Sequence, residues 1–131
     1  MQFLSDDWLA AMDDAARNRV VPDDDPLADV SLVIEQVVHD GPGWQLVIDH
    51  GRCSVRTLPV DGEPGTEPDV RLTSARSTAE AIASGQRAAL DAFIAGDLVL
   101  GGDVRTLLDH RAALEVLGDL FATVKDRTVF A

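Results

Sequence analysis

The spacing of apolar residues changes period along the chain. Trp8, Leu9, Met12, Ala15 and Ala16 recur at three- and four-residue intervals, which puts one apolar stripe on a helix. Ser5 stands before them as a capping hydroxyl, with Asp6 and Asp7 in the first turn where the helix dipole favours acids. The helix is expected to end before Pro22, and Asp23-Asp24-Asp25-Pro26 reads as a linker unsuited to helix or strand. From Val30 the period falls to two. Val30, Leu32, Ile34 and Val38 share one face of a first strand, Trp44, Leu46 and Ile48 one face of a second, and Cys53–Leu58 makes a third. Asp40-Gly-Pro-Gly43 turns the chain between the first two. His50-Gly51 suits a two-residue hairpin turn, with glycine supplying a positive φ. The result is an antiparallel meander.

Pro59 to Pro68 is rich in proline, glycine and acids and reads as an exposed loop. Asp69–Thr73 is a fourth strand, with Val70 and Leu72 inward. Ser77-Thr-Ala-Glu80 has the form of a capping box, opening a short helix that stops at Gly85. A second helix runs from about Arg87 to Ala95 and stops at Gly96. Asp97–Leu100 is a fifth strand, broken by Gly101-Gly102, and Asp103 can cap the next helix. The remainder to about Val124 is helical, with Leu107, Leu114, Leu117, Phe121 and Val124 along one side and a bend or split near Asp109-His110. The fold class expected is α+β: a five-stranded mixed sheet, the meander plus two further strands, with helices packed mainly on one face. One domain over 1–131 is expected, divided into an N-terminal helix (1–21), an acidic linker (22–28), a core (29–124) and a tail (125–131).

Charge narrows the partners. There are 23 acids against 11 bases, a formal net charge of −12. A nucleic-acid partner needs a basic face, and an anionic membrane attracts only basic clusters, so neither partner nor stable membrane insertion is expected. No apolar run approaches the roughly 18–20 residues that span a bilayer, and the start lacks a signal-peptide pattern, so the cytoplasm is the expected location. The single cysteine, Cys53, excludes an intrachain disulfide and a thiolate zinc cluster. Cys53 reads as an inert strand residue, His39-Asp40 and Asp49-His50 as surface pairs too far apart to share a metal, and His110 beside Asp109 as a solvated helix residue. Asp23–Asp25 lacks the spacing of a calcium loop, and Gly101-Gly102-Asp103 reads as a turn and cap rather than a phosphate site. No metal, no cofactor and no catalytic residue is expected.

One stretch carries a resemblance. Asp-Val-Arg-Leu-Thr-Ser (69–74) leads into the first short helix, Ala-Ala-Leu-Asp-Ala-Phe-Ile-Ala-Gly (88–96) comes next, and Asp-Leu-Val-Leu-Gly-Gly-Asp-Val (97–104) precedes the apolar helix. This resembles the sterol carrier protein family, in a bacterial stand-alone form. Asp97 departs from the commonly basic residue at its position, and the closing helix looks longer than usual. The resemblance implies a non-enzymatic carrier with a tunnel between sheet and helices for a lipid, acyl chain or sterol-like molecule. Its walls would be Leu72, Ile82, Phe93, Ile94, Leu98, Leu100, Leu107, Leu117 and Phe121. The interior is expected to be branched aliphatics without polar handles. The alternative is an accessory module of the same fold that makes a homodimer or docks a partner protein.

Overall fold

Helix α1 (Asp6–Arg17) starts where the sequence predicts, because Ser5 Oγ accepts the Trp8 N–H at 3.1 Å. The computed structural model describes residues 2–19, 27–39, 43–57, 68–109 and 111–129. The expectations for Asp23–Pro26, for Leu58 and the Pro59–Glu67 part of the loop, for Asp40 to Pro42 and for His110 lie outside the described residues. The meander forms as expected from β1 (Ser31–Val38), β2 (Trp44–Asp49) and β3 (Arg52–Thr57). His50 and Gly51 both take positive φ, 49° and 82°, as a twisted two-residue hairpin turn requires.

β4 (Val70–Ser74) joins β1 in parallel, and β5 (Leu98–Gly102) pairs antiparallel with β4. The order is β3-β2-β1-β4-β5, a mixed five-stranded sheet. Its register puts Leu32, Ile34, Gln36 and Val38 in line with Trp44, Leu46 and Ile48, with Cys53 and Val55, with Val70, Leu72 and Ser74, and with Leu98 and Leu100. The apolar members of this face pack with α1, α2 (Arg76–Ala83), α3 (Ala89–Ile94) and α5 (Arg111–Lys125) in one core. The opposite face is different. Val33 is buried there but stands outside that core. Beside it, Glu35 accepts from Gln45 Nε2 at 3.0 Å and from Arg71 Nε at 2.7 Å, a polar row across three strands.

The core centres on four of the chain's six aromatic residues. The Trp8 ring lies 4.9 Å from Phe3, 5.7 Å from Trp44 and 6.3 Å from Phe121, centroid to centroid. Asp13, further along α1, accepts the Val55 N–H at 2.9 Å and so satisfies a donor on the edge strand β3. The segment expected as a tail pairs at Val129 with Gln2, and Phe3 N–H donates to Val129 C=O at 3.0 Å.

Three local expectations are corrected. The Ser77–Glu80 capping box does not form: α2 begins at Arg76, and Glu80 accepts from Arg76 Nε at 3.0 Å instead. An ion pair four residues apart on one helix face has taken the glutamate that the box needed. Gly101-Gly102 does not break β5 but forms its last two residues, paired with Arg71 and Val70. Gly102 must be glycine, because φ is 76° and a Cβ would stand 2.5 Å from Asp69 C=O. The second short helix is also shorter than its pattern, starting at Ala89 rather than Arg87, because Arg87 reaches from the preceding turn to Asp97 at 2.8 Å. The glycine stops hold, with Gly85 and Gly96 at φ 80° and 83°. The closing helical region is described as α4 (Val104–Asp109) and α5, on either side of His110, so the bend or split expected there lies outside the described residues.

Gly102→Ala is expected to cost more than about 2 kcal/mol, since the positive φ alone costs roughly 1–2 and the backbone clash adds to it. Gly101→Ala, whose Cβ would meet Arg71 Cβ at an ordinary 3.8 Å, serves as the control in urea unfolding and should cost less. Asp103 caps α4 by accepting the Thr106 N–H at 3.1 Å. Its pKa is lowered from 3.8 by the Thr106 side-chain hydrogen bond first and the Thr106 backbone hydrogen bond second. A depressed carboxyl stabilises the fold above its unfolded pKa and loses that effect as pH falls through the folded value. The cap is thus expected to be intact at neutral pH and to fail only below pH 3.8, read as faster amide exchange at Thr106.

Candidate functional site

Helix α3 is built inside out. Its one fully buried residue is Ala92, while Leu90 is 62%, Phe93 43% and Ile94 74% exposed. The helix packs on β5, the edge strand, where Val99 is 60% exposed on the sheet face away from the helices. The cause is local. Gly85 and Gly96 stop the chain on either side, so only six residues form the helix, and Ala92 is the small residue that lets its backbone approach the core.

The nine expected wall residues divide into three groups, with one left over. Leu72, Leu98, Leu117 and Phe121 are buried within the core. Ile82 and Leu100 are partly buried and pack against it. Phe93 and Ile94 stand at the surface of α3. Leu107 lies in α4, and its side chain is outside the described residues. Leu90 and Val99 were not singled out from the sequence. Leu90 could have been, because it lies one helical turn before Ile94.

The interior is not free of polar handles, contrary to expectation. Trp8 Nε1, Trp44 Nε1 and Ser74 Oγ are buried without a hydrogen-bond partner among the described residues. Trp44 and Ser74 lie on the helix-facing side of the sheet, where Gln36 is also buried. The indole donors came with residues read only as apolar mass, which is why the pattern hid them. An unanswered buried donor or acceptor costs roughly 1–3 kcal/mol.

The titratable residues are dispersed. Cys53 is buried on the helix-facing side, with Sγ 3.9 Å from Gly51 C=O. His39 N–H donates to Ser74 C=O and His50 N–H to Val30 C=O, which puts the two histidines at opposite ends of β1. Among the described residues no group of three His, Cys, Asp or Glu could hold a metal ion, and no helix is long and apolar enough to cross a membrane.

A concavity lies at the other edge of the sheet, between the end of α1 and the β2–β3 hairpin. It has a volume of about 480 Å³ and is bordered by Arg17, Arg19 and Arg52.

Three solved structures share this arrangement over most of their length. Sterol carrier protein 2 superposes with a TM-score of 0.68 at 14% identity, over 95% of this chain and 98% of that one. A conserved hypothetical protein of Thermus thermophilus, with a suggested sterol carrier role, gives 0.67 at 18% identity, over 95% and 90%. A palmitated SCP2-like protein of Aedes aegypti gives 0.57 at 19% identity, over 81% and 93%. No curated protein sequence matches this one. At these identities the likeness speaks for the fold. The sequence itself matches the model of the SCP-2 sterol transfer family over residues 14–115, so the chain belongs to that family.

Proposed function

We propose that this chain is a non-enzymatic carrier for a lipid, fatty acyl chain or other hydrophobic molecule held between the sheet and its helices. The observation that carries this reading is the outward set of Leu90, Phe93 and Ile94 on α3. Large apolar side chains grouped on one short element at a sheet edge mark a surface that meets something apolar. Leu98 and Leu100 on β5 continue that surface inward, towards Leu72 of the neighbouring strand, and Leu117 and Phe121 belong to the same core. This supports an entry at the α3–β5 corner, with the expected wall residues behind it.

Magnitudes are compatible with reversible carriage. Burying about ten methylenes contributes roughly 8 kcal/mol at ~0.8 per group. Association and ordering cost about 4–15 kcal/mol. Ten methylenes alone therefore leave about 4 kcal/mol at best, a millimolar affinity, so a carried ligand needs a longer chain or polar contacts as well. The unanswered Trp8, Trp44 and Ser74 groups favour a ligand with a hydrogen-bond acceptor over a bare hydrocarbon.

The second reading is a protein-interaction or dimerisation module. It draws on the same corner, because β5 is an edge strand and edge strands with apolar neighbours pair readily.

Native mass spectrometry of the purified chain, with solvent extraction afterwards, separates the two. The carrier reading expects a stoichiometric apolar adduct on a monomer. A clean dimer with no adduct favours the module, and a clean apo monomer that ignores acyl chains and sterols removes the carrier. Ile94→Asp is expected to keep the fold, because Ile94 is exposed, and to weaken acyl-chain binding about tenfold, near the lower end of the ~1.5–3 kcal/mol for burying such a side chain. Leu117→Trp should weaken binding from within. In the wild-type chain and in Ile94→Asp, the change in Trp8 and Trp44 emission on ligand addition reports occupancy.

A further inference from the structure

The sheet register gives the unanswered polar groups of the core an order. Trp8 and Trp44 are fully buried, and neither indole Nε1 donates a hydrogen bond among the described residues. Their rings lie 5.7 Å apart, centroid to centroid, at 78°. Ring contacts of this kind do not replace the missing bond, because an N–H over a ring is a second-order interaction. Trp44 begins a row that crosses the sheet on its helix-facing side. Trp44 of β2 stands opposite Gln36 of β1, Gln36 opposite Leu72 of β4, and Leu72 opposite Leu100 of β5. Gln36 is buried, and its side-chain amide makes no hydrogen bond among the described residues. Ser74, whose Oγ is also unanswered, lies in the next row, between Val38 and Leu98. The Trp44 row is thus polar at the β2 end and aliphatic at the β5 end, where α3 packs with its outward Leu90, Phe93 and Ile94. Three strand spacings separate the two ends, about 14 Å. Cations are placed elsewhere. The three arginines of the sheet, Arg52, Arg56 and Arg71, alternate to the face opposite Cys53, Val55 and Leu72. Arg76 lies with its guanidinium 6.0 Å from the Phe3 ring, and its Nε is taken by Glu80 at 3.0 Å.

On the carrier reading, on which this rests, we propose that the chain selects a ligand whose polar end is an uncharged carbonyl, of the ketone or ester class, and holds it head first. The carbonyl oxygen accepts from the Trp8 and Trp44 indoles, and the chain lies along Gln36, Leu72 and Leu100 towards the α3–β5 corner. An indole N–H can only donate, so the group it meets must accept. A carbonyl oxygen has two lone pairs, one for each indole, and brings no proton that needs an acceptor of its own. A carboxylate also accepts, but it would lose its hydration without a cation to pair with, and burying an unpaired charge is far costlier than burying a neutral oxygen. A bare hydrocarbon leaves both donors unanswered. Because ten methylenes alone leave only millimolar affinity, these hydrogen bonds separate a bound ligand from an unbound one.

The test equilibrates the full chain with three probes of equal carbon number: 2-undecanone, sodium undecanoate and undecane, at a pH where the acid is ionised. NMR follows the two indole N–H signals for the head and the Leu72 and Leu100 methyl signals for the tail. The ketone is expected to move both sets saturably, with the indole protons shifted downfield. Undecane should move the methyl signals and leave the indoles in place. Undecanoate should bind about tenfold or more weakly than the ketone. Trp44→Phe keeps the aromatic ring and removes the donor, so it should lower ketone affinity several-fold without changing that for undecane, and Trp8→Phe gives a second reading. Methyl shifts without indole shifts on adding the ketone would overturn the headgroup assignment and leave the carrier standing. So would undecanoate binding as tightly as the ketone, or ketone affinity unchanged in both variants. No shift with any of the three probes would remove the carrier as well.

Discussion

The Trp8 ring is the contact on which the rest of the arrangement depends. It touches Phe3, Trp44 and Phe121 and so joins the N-terminal segment, strand β2 and the closing helix. Trp44 and Phe121 close the group with a T-shaped contact at 6.0 Å. Aromatic pairs of this geometry add about 0.5–1.5 kcal/mol beyond the area they bury. In a chain with only six aromatic residues, no second cluster of this size can compete with it. Placing Trp8 places α1, and α1 then sets Asp13 against the Val55 N–H and Arg19 against the hairpin turn. The concavity bordered by Arg17, Arg19 and Arg52 is a consequence of that placement.

The two faces of the sheet are held in register by opposite means. On the helix side the aliphatic rows must meet the core. On the other side Glu35 sits between Gln45 and Arg71, nearly buried and answered from both neighbouring strands. A slip of one residue in β1 would turn Glu35 into the core and lose both partners. Removing one partner of a buried charge is far more costly than the pair itself is stabilising. The polar row therefore specifies the pairing more than it strengthens the fold.

The sheet separates two kinds of surface. At the β5 edge, α3 turns Leu90, Phe93 and Ile94 outward, and the core behind them carries two unanswered indole donors. At the β3 edge, arginines gather in a chain otherwise dominated by acids. Membership of the SCP-2 sterol transfer family accounts for the shared framework and suits the apolar corner.

What the sequence determined by itself is what depends on a few neighbouring residues. The period of two in β1 and β2, the His50-Gly51 turn, the Ser5 cap and the stops at Gly85 and Gly96 all act over one turn or one strand pair. The 69–124 stretch carried the family likeness for the same reason, as a local order of strand, glycine and helix. The tertiary structure decided what depends on residues far apart in the chain. Pairing of β5 with β4 placed Gly102 against Asp69 and made an expected break part of a strand. Parallel pairing of β4 with β1 set Arg71 beside Glu35. Phe93 and Ile94 share an apolar character with Leu98 and Leu117, yet the first pair is exposed and the second buried. Arg17 and Arg52 are 35 positions apart in sequence and meet only because α1 lies along β3. Side-chain type sets which surface a residue prefers, but what lies across from it is fixed only when distant segments pack.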